Sequence, residues 1–207
     1  MPGPDLKICG LTRAEDVALC HELGVSYTGF VLAAQSPRYI APAAVAAMPR
    51  GRAKRVGVFT DGAVSFVERA MEEGNLDLAQ LHGGQDVEVC RALGPERVIK
   101  VFWPEKSGAE TLQQELDRFA PFCAYFLFDA GNGGGGTGRT FAWEIVRGLR
   151  IPRPWFLAGG IGPDTVNDAL AACAPYALDS SSGVEEAPGR KNAARLRQLA
   201  AMIRTLK

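Results

Sequence analysis

Short, almost continuously apolar runs recur along the chain and predict eight buried β-strands. Such runs are typical of parallel strands that are covered on both faces, because neither face needs the alternating polar residues of a half-exposed sheet. Each run is followed by polar or glycine residues. The predicted strands are Leu6–Cys9, Tyr27–Leu32, Arg55–Phe59, Leu78–Leu81, Val98–Phe102, Tyr125–Phe128, Trp155–Ala158 and Tyr176–Asp179.

Amphipathic stretches separate these runs and predict eight helices. The first is Arg13–Glu22, and Thr12-x-x-Glu15 at its start has the spacing of a capping box. Pro42 suits the first turn of the second helix, which we expect to extend to Met48. The other predicted helices are Val64–Glu73, Asp86–Leu93, Thr111–Phe119, Ala142–Leu149, Asp164–Ala171 and Asn192–Leu206.

Strands that alternate with helices predict an α/β fold with a parallel sheet. Their number and even spacing favour a single (β/α)₈ TIM barrel over residues 1–207, which we expect to be one catalytic domain. An open, doubly wound sheet is the alternative. A closed barrel places its chemistry at the carboxyl ends of the strands, so the residues after each apolar run are the first candidates.

Composition and charge exclude several functional classes. The chain has 207 residues, with 23 basic and 23 acidic side chains. A neutral balance lacks the general attraction that binds nucleic acids or anionic membranes. No run approaches the roughly 18 apolar residues of a membrane span, and the start lacks a secretory signal. We therefore expect no nucleic-acid or membrane partner. A cytoplasmic protein with a small-molecule ligand, acting as a monomer or homodimer, is the separate expectation for its setting.

The cysteines argue against a disulfide framework and against a zinc site. Their number is odd, their spacing is wide, and the chain has only two histidines. We therefore expect no metal and no cofactor. Four of the cysteines are interpreted as small buried hydrophobes: Cys20, Cys90, Cys123 and Cys173.

Cys9 differs from these four because it ends the first strand, beside a glycine. Lys7 lies two residues earlier, so both side chains should point to the same side of the strand. If that side is the barrel interior, the ammonium group would favour the thiolate. Asp129 ends the sixth strand, where burial could hold its carboxyl protonated. Strands one and six are not neighbours, so a base and an acid would face each other across the barrel mouth.

Other polar residues at the strand ends are candidates for contact with a substrate. Arg38 offers a fork for a carboxylate, with a solvated loop arginine as the alternative. Lys7, His82 and Asp179 are further candidates. The alternatives are a packing histidine for His82 and a loop-fixing carboxylate for Asp179.

Glycine-rich loops follow strands six, seven and eight. Glycine allows backbone N–H groups to converge on an anion, and the usual phosphate site of such a barrel lies after strands seven and eight. Simple tight turns are the alternative. The candidate phosphate ligands are Gly135, Gly136, Thr137, Gly138, Gly159, Gly160, Ser182 and Gly183.

Two familiar nucleotide-binding patterns occur in the first of these loops, and both are incomplete. Gly133 to Thr140 nearly matches a P-loop, but Arg139 replaces the lysine. Gly131-x-Gly-x-x-Gly136 matches the dinucleotide pattern, but no acidic residue ends the next strand.

Together the strand-end motifs strongly resemble the phosphoribosylanthranilate isomerase family, over essentially the whole chain. The resemblance implies one (β/α)₈ barrel and an enzyme of tryptophan biosynthesis. It also implies an Amadori rearrangement of N-(5-phosphoribosyl)anthranilate to 1-(2-carboxyphenylamino)-1-deoxyribulose 5-phosphate. The motifs are Lys7-Ile-Cys-Gly-Leu-Thr12, Ser36-Pro-Arg38, Val56-Gly-Val-Phe59, Leu81-His-Gly83, Gly135-Gly-Thr-Gly138, Ala158-Gly-Gly-Ile161, Ser181-Ser-Gly-Val-Glu185 and Pro188-Gly189.

The resemblance also implies roles for individual residues. Cys9 matches the general base, Asp129 the general acid, and Arg38 the arginine that meets the anthranilate carboxylate. The loops at 135–138, 159–160 and 182–183 match the phosphate site. Three positions depart from the usual family motifs: Ala142, Ser180 and Asn192. A related phosphosugar isomerase, acting for example on an aminoimidazole ribonucleotide, and a non-catalytic phosphosugar-binding protein are the alternatives.

Overall fold

Eight parallel strands close into a barrel in the computed structural model, which describes residues 3–106, 108–129 and 144–205. Each strand pairs with the next one along the chain, and the eighth returns to pair with the first. The predicted α/β barrel is thereby confirmed. The strands are β1 Asp5–Ile8, β2 Tyr27–Val31, β3 Lys54–Phe59, β4 Leu78–Leu81, β5 Val98–Phe102, β6 Tyr125–Phe128, β7 Trp155–Leu157 and β8 Ala177–Ser180.

A helix follows each strand, and the predicted order is confirmed with small differences at the ends. Pro42 occupies the first turn of its helix as predicted, but the helix ends before Met48. The helices are α1 Ala14–Glu22, α2 Pro42–Ala46, α3 Val64–Glu73, α4 Val87–Leu93, α5 Ala109–Phe119, α6 Glu144–Arg147, α7 Val166–Ala172 and α8 Ala193–Arg204. A short antiparallel hairpin, β9 Glu185–Ala187 and β10 Arg190–Lys191, lies between β8 and α8.

The predicted capping box at α1 is wrong. No side chain caps this helix, whose preceding residue is Arg13. The hydroxyl of Thr12 instead donates to the Gly189 carbonyl oxygen at 2.6 Å, a contact between opposite ends of the chain. Asn192, by contrast, accepts a hydrogen bond from the Arg195 N–H and caps α8, so this departure from the family motif preserves the start of the helix.

Two apolar cores hold the barrel together. The larger packs the helices against the outside of the strands. The smaller fills the barrel interior with side chains from seven strands, and within it the Tyr27 and Phe156 rings meet edge to face with centroids 5.0 Å apart. Its buried members are Tyr27, Val56, Leu78, Ile99, Val101, Leu127, Phe156, Ala158 and Ala177.

The register of this inner core determines which residues point into the barrel mouth. Alternate residues of a strand point to the same side, so the position two residues after a core residue also faces inward. That position is Gly29 in β2, Gln80 in β4, Asp129 after β6 and Asp179 in β8. Lys7 pairs in register with Asp179 and therefore faces inward as well.

The remaining general expectations concern cysteines and membranes. All five cysteines are free thiols. Cys20, Cys90 and Cys123 are buried as predicted, whereas Cys173 is partly exposed. Among the helices in the described ranges, none is long and apolar enough to cross a membrane.

Candidate active site

A buried ion pair forms the floor of the barrel mouth. The Lys7 ammonium donates to Asp179 Oδ2 at 2.9 Å, and neither side chain is more than 7% exposed. Burial alone would lower the pKa of Lys7, but Asp179 and Cys9 outweigh it, so the pKa of Lys7 is raised. The other Asp179 oxygen, Oδ1, is buried without a hydrogen-bond partner among the described residues. The structure therefore brings together Lys7 and Asp179, two of the predicted substrate-contact residues, and Asp179 Oδ1 remains an acceptor without a partner among the described residues.

Cys9 lies beside Lys7 of this pair. It follows β1, and its N–H donates to the Ser180 carbonyl oxygen at 2.9 Å. Gly29 of the neighbouring strand makes room for it, because a Cβ at Gly29 would lie 2.9 Å from Cys9 Sγ and 3.2 Å from Lys7 Nζ. As predicted, Cys9 and Lys7 share the inner side of β1.

Lys7 favours the thiolate of Cys9 as expected, because its attraction lowers the pKa of Cys9, but other effects outweigh it. Burial raises the pKa of Cys9, the attraction of Lys7 lowers it by less, and the nearby Asp179 carboxylate raises it again. The result is a pKa above the thiol's ordinary 9.0, so Cys9 rests as a thiol near neutral pH. The sequence argument counted the ammonium but neither the burial of Cys9, which is the largest effect on its pKa, nor the Asp179 carboxylate.

Asp129 and His82 meet at the carboxyl ends of β6 and β4. Asp129 Oδ2 lies 3.3 Å from His82 Nε2, and both side chains are about a quarter exposed. Asp129 is therefore only partly buried at the edge of the barrel interior. On its other side His82 Nδ1 lies 3.1 Å from the Gln80 amide nitrogen, and its ring meets Trp103 edge to face. An Nδ1 that accepts from Gln80 leaves the Nε2–H directed at Asp129.

The barrel order places Cys9 and Asp129 on different sides of one mouth. β7 and β8 lie between β6 and β1 on one side, and β2 to β5 lie between them on the other. Passing round the rim from β2 to β6, the candidates come in the order Arg38, Cys9, the loop after β8, the loop after β7 and Asp129.

Arg38 is paired, not solvated. Its Nε and Nη2 donate to the two Glu185 carboxylate oxygens at 2.7–3.2 Å, and the Arg38 side chain is 19% exposed. The hydrogen bonds to Glu185 raise the pKa of Arg38. Its stem passes close to Gly10, where a Cβ would lie 2.6 Å from Arg38 Cδ and where φ is +72°. Arg38 is also close enough to Cys9 for their charges to interact.

Sequence reasoning missed Glu185 and Lys191. Lys191 is fully buried, and its ammonium donates to Glu185 Oε1 at 2.8 Å and to the backbone oxygens of Cys9 and Ser181 at 2.5 and 3.3 Å. Burial would raise the pKa of Glu185, but Arg38 and Lys191 together hold it below its usual value. Glu185 ends one of the motifs that carry the family resemblance, and that was the available signal. Gln80, a polar residue in an apolar strand, was another.

The loops after β7 and β8 pack against each other. Gly159 and Gly160 have φ of +96° and +71°, a region that glycine adopts without strain. Gly183 leaves no space for a Cβ against the Ile161 carbonyl oxygen, which also accepts from the Ser180 hydroxyl at 2.7 Å. Ser180, the second departure from the family motif, thus ties the two loops together.

These contacts bring four of the eight predicted phosphate ligands into adjacent loops: Gly159, Gly160, Ser182 and Gly183. The other four, Gly135, Gly136, Thr137 and Gly138, lie outside the described residues, as does the third departure, Ala142.

Comparisons with known proteins identify the family of the chain. Residues 6–201 match the model of the N-(5'-phosphoribosyl)anthranilate (PRA) isomerase family. The N-(5'-phosphoribosyl)anthranilate isomerase of Maridesulfovibrio salexigens is 44% identical over 187 residues, which cover 90% of this chain and 91% of the relative.

Solved structures of such isomerases share the fold. The crystal structure of the phosphoribosyl anthranilate isomerase from Thermus thermophilus superimposes with a TM-score of 0.84 at 39% identity, covering 98% of this chain and all of that one. A phosphoribosyl anthranilate isomerase in complex with reduced 1-(o-carboxyphenylamino)-1-deoxyribulose 5-phosphate gives a TM-score of 0.81 at 29% identity, covering 98% of each chain. The family model, the identity to its members and the shared barrel lead to one conclusion: this chain belongs to the N-(5'-phosphoribosyl)anthranilate isomerase family.

Proposed function

We propose that the chain converts N-(5-phosphoribosyl)anthranilate into 1-(2-carboxyphenylamino)-1-deoxyribulose 5-phosphate, with Cys9 as general base and Asp129 as general acid. The observation that carries these roles is the order of groups round the barrel mouth. The phosphate loops after β7 and β8 lie between Asp129 and Cys9, and Arg38 lies beyond Cys9 on β2's side. A substrate with a phosphate at one end and a carboxylate at the other fits this order.

The phosphate would be bound by backbone N–H groups in two loops. Gly159 and Gly160 supply them after β7, and Ser182 and Gly183 supply them at the short helical turn after β8. We expect the loop at 135–138 to complete this site. The anthranilate carboxylate would be bound by Arg38, whose planar fork suits two carboxylate oxygens.

The ion pair below the sugar supplies further contacts. The unpartnered Oδ1 of Asp179 can accept a hydrogen bond from a ribose hydroxyl, and Lys7 holds this carboxylate in place. His82, at 3.3 Å from Asp129, would touch both the acid and the sugar ring that the acid protonates.

The first chemical step opens the furanose ring. Asp129 gives its proton to the ring oxygen as the bond between C1 and that oxygen breaks, and the nitrogen lone pair forms the C=N bond of a protonated Schiff base. The Nε2–H of His82 then stabilises the carboxylate that remains on Asp129.

The second step moves the proton at C2. The Cys9 thiolate takes this proton, the electrons of the C–H bond form the C1=C2 double bond, and those of the C=N bond return to nitrogen. The enolamine so formed tautomerises to the ketone. A raised pKa makes the thiolate scarce at rest but a stronger base once formed. Both steps are proton transfers, so we expect no metal or cofactor to take part, and a cytoplasmic monomer or homodimer remains the prediction.

Turnover is tested by the loss of anthranilate-adduct fluorescence after the protein is added to fresh phosphoribosylanthranilate. Cys9→Ser and Asp129→Asn should each lower kcat by about 10²–10⁴-fold, the range for general acid–base groups. Cys173→Ser and Asp61→Asn are matched controls, since Cys173 is only partly buried at the end of α7 and Asp61 is exposed.

Near-wild-type kcat in Cys9→Ser or Asp129→Asn would remove that residue from the mechanism. Binding of the reduced product analogue without any turnover would favour a phosphosugar-binding protein instead. Turnover confined to an aminoimidazole ribonucleotide would favour the related isomerase.

A further inference from the structure

Glu185 engages only one edge of the Arg38 guanidinium. The two carboxylate oxygens accept from Nε and Nη2, which form the side-on edge of the guanidinium plane. The end-on edge, formed by Nη1 and the second N–H of Nη2, therefore points away from Glu185. An arginine can bind carboxylates on both edges at once, because its five N–H groups are fixed in one plane.

Glu185 is itself fixed more firmly than a surface carboxylate. Its side chain is 5% exposed, and besides Arg38 it accepts from Lys191 Nζ at 2.8 Å and from the Gly189 N–H at 3.2 Å. Both of these donors belong to the turn and second strand of the β9–β10 hairpin, and Lys191 is fully buried. Lys191 also donates to the Cys9 carbonyl oxygen, so the same anchor reaches the proposed base.

The charges of Arg38 and Glu185 explain why Lys191 is needed as a third member of the cluster. A lone Arg38–Glu185 pair would be neutral and would offer a second carboxylate little attraction. Lys191 compensates the Glu185 carboxylate from the other side, so the cluster of Arg38, Glu185 and Lys191 keeps one net positive charge. That charge is located at the arginine, which is the only one of the three with appreciable exposure.

We propose that Glu185 is a positioning residue that aims the end-on edge of Arg38 at the carboxylate of the substrate, and so determines selectivity for a carboxylated aromatic amine. This rests on the proposed function. Arg38 makes the contact, and Glu185 acts through Arg38 without touching the substrate. Lys191 offsets the negative charge of Glu185, so Arg38 and Glu185 together with Lys191 keep one net positive charge.

The test varies the protein and the substrate together. Glu185→Gln is compared with wild type on phosphoribosylanthranilate and on the phosphoribosyl adduct of aniline, which lacks the carboxylate. Glu186→Gln is the matched control, because Glu186 belongs to the same hairpin and pairs with exposed Arg190, not with Arg38.

Displacing a binding group from its productive position lowers the reaction rate by up to about 10²-fold. Glu185→Gln should therefore lower kcat/KM for the carboxylated substrate by about 10–10²-fold. We expect wild type to use the aniline adduct poorly, and Glu185→Gln should show no further loss on it. Arg38→Ala with Glu185→Gln should be no worse than Arg38→Ala alone. Glu186→Gln should match wild type on both substrates. Equal losses of Glu185→Gln on both substrates, or none on either, would overturn the proposal.

Binding measurements distinguish a failure of the proposed function from a failure of the role assigned to Glu185. The probe is reduced 1-(o-carboxyphenylamino)-1-deoxyribulose 5-phosphate, with its phenylamino counterpart as the carboxylate-free control. A wild type that neither binds this probe nor turns over the substrate refutes the proposed function. A wild type that does both, with Glu185→Gln unchanged in Kd, refutes only the role of Glu185.

If Glu185→Gln does not fold, Glu185→Asp replaces it, since the shorter carboxylate keeps the charge and withdraws from the Arg38 edge. Glu185→Asp should show the same dependence on the substrate carboxylate.

Discussion

At the residue scale, the reactivity of the mouth depends on how its buried charges are paired. Lys7 would activate Cys9 if it were alone, but its ammonium is bound by Asp179 at 2.9 Å. Burial then has the largest effect on the Cys9 thiol and raises its pKa. Cys9 is therefore a thiol at rest. In the proposed mechanism, the cationic Schiff base that forms beside it would favour its ionisation.

Asp179→Asn tests this reading of Cys9. The change removes a negative charge that raises the pKa of Cys9 and leaves Lys7, which lowers it, so the pKa of Cys9 should fall. The pH dependence of thiolate absorbance, taken as the difference between each protein and its Cys9→Ser counterpart, measures the pKa. Asp61→Asn should leave it unchanged. A Cys9 pKa that stays the same or rises in Asp179→Asn would contradict the account.

Gly29→Ala tests the space around the same sulfur. The new Cβ would lie 2.9 Å from Cys9 Sγ and 3.0 Å from its Cα, so Cys9 has to move. We expect unfolding to become easier by about 1–3 kcal/mol, the usual cost of overpacking, and kcat to fall. Gly84→Ala is the control, since nothing lies within 4 Å of its Cβ position. Unchanged kcat in a folded Gly29→Ala protein would show that the position of the sulfur is not critical.

The sequence predicts single residues at strand ends better than it predicts their partners. Cys9, Asp129 and Asp179 are recognisable because each ends an apolar run. Arg38 and Glu185 are 147 positions apart, and no local pattern links them. The raised pKa of Cys9 was likewise not predictable, because it follows mainly from burial in the closed barrel and further from Asp179, which β8 brings beside β1.

At the element scale, the hairpin β9–β10 joins the start of the barrel to its end. Gly189 accepts from Thr12 before α1, and Lys191 donates to Cys9 after β1. The hairpin therefore supports the loop after β1 and the arginine after β2 from a segment that follows β8. This long-range contact also explains why Thr12 does not cap α1.

Lys191→Met tests the support that this hairpin gives. The change removes a buried charge partner of Glu185 and the donor to the Cys9 carbonyl oxygen. Breaking a buried pair in this way usually costs about 3–5 kcal/mol, and we expect that loss in the free energy of urea unfolding.

Arg190→Ala is the control for Lys191→Met. It breaks the exposed 2.7 Å pair with Glu186 and should cost at most about 1 kcal/mol. Equal losses in the two variants would show that the buried contacts of Lys191 are not what stabilises the hairpin.

Element order was predictable because each parallel strand is an apolar run and each helix is amphipathic. The ends of the helices and strands were less predictable. α2 ends at Ala46 and not at Met48, and β8 begins at Ala177 and not at Tyr176. Such ends depend on loop contacts that a local pattern does not contain. The β9–β10 hairpin was missed as an element, since its strands are only two and three residues long.

At the scale of the whole molecule, the inner core separates two ends of the barrel with different roles. Tyr27, a member of the inner core, clusters with Tyr125 and Tyr176 at the amino-terminal end of the strands. Lys7, Cys9, Asp129 and the loops at 159–160 and 182–183 lie toward the carboxyl-terminal end of the strands. Substitutions at the amino-terminal end should therefore affect stability and leave the chemistry alone.

Tyr27→Phe tests this division. The ring and its packing on Phe156 are kept, while the hydroxyl that lies 3.4 Å from the Tyr176 hydroxyl is removed. We expect a loss of about 0.5–1.5 kcal/mol in the free energy of unfolding, the net value of one hydrogen bond. The kcat/KM for phosphoribosylanthranilate should stay within about twofold of wild type. A large loss of kcat/KM without loss of stability would show that the two ends are coupled.

The central claim is that one pentose is held between Cys9 and Asp129. A crystal structure of this protein with reduced 1-(o-carboxyphenylamino)-1-deoxyribulose 5-phosphate tests it most directly. The account predicts Cys9 Sγ and the Asp129 carboxyl on opposite faces of the pentose chain, each within about 3.5 Å of a reacting atom. It also predicts the phosphate on the amides after β7 and β8, and the aromatic carboxylate on Arg38. A pentose that contacts only one of the two groups, or a phosphate bound away from those loops, would contradict it.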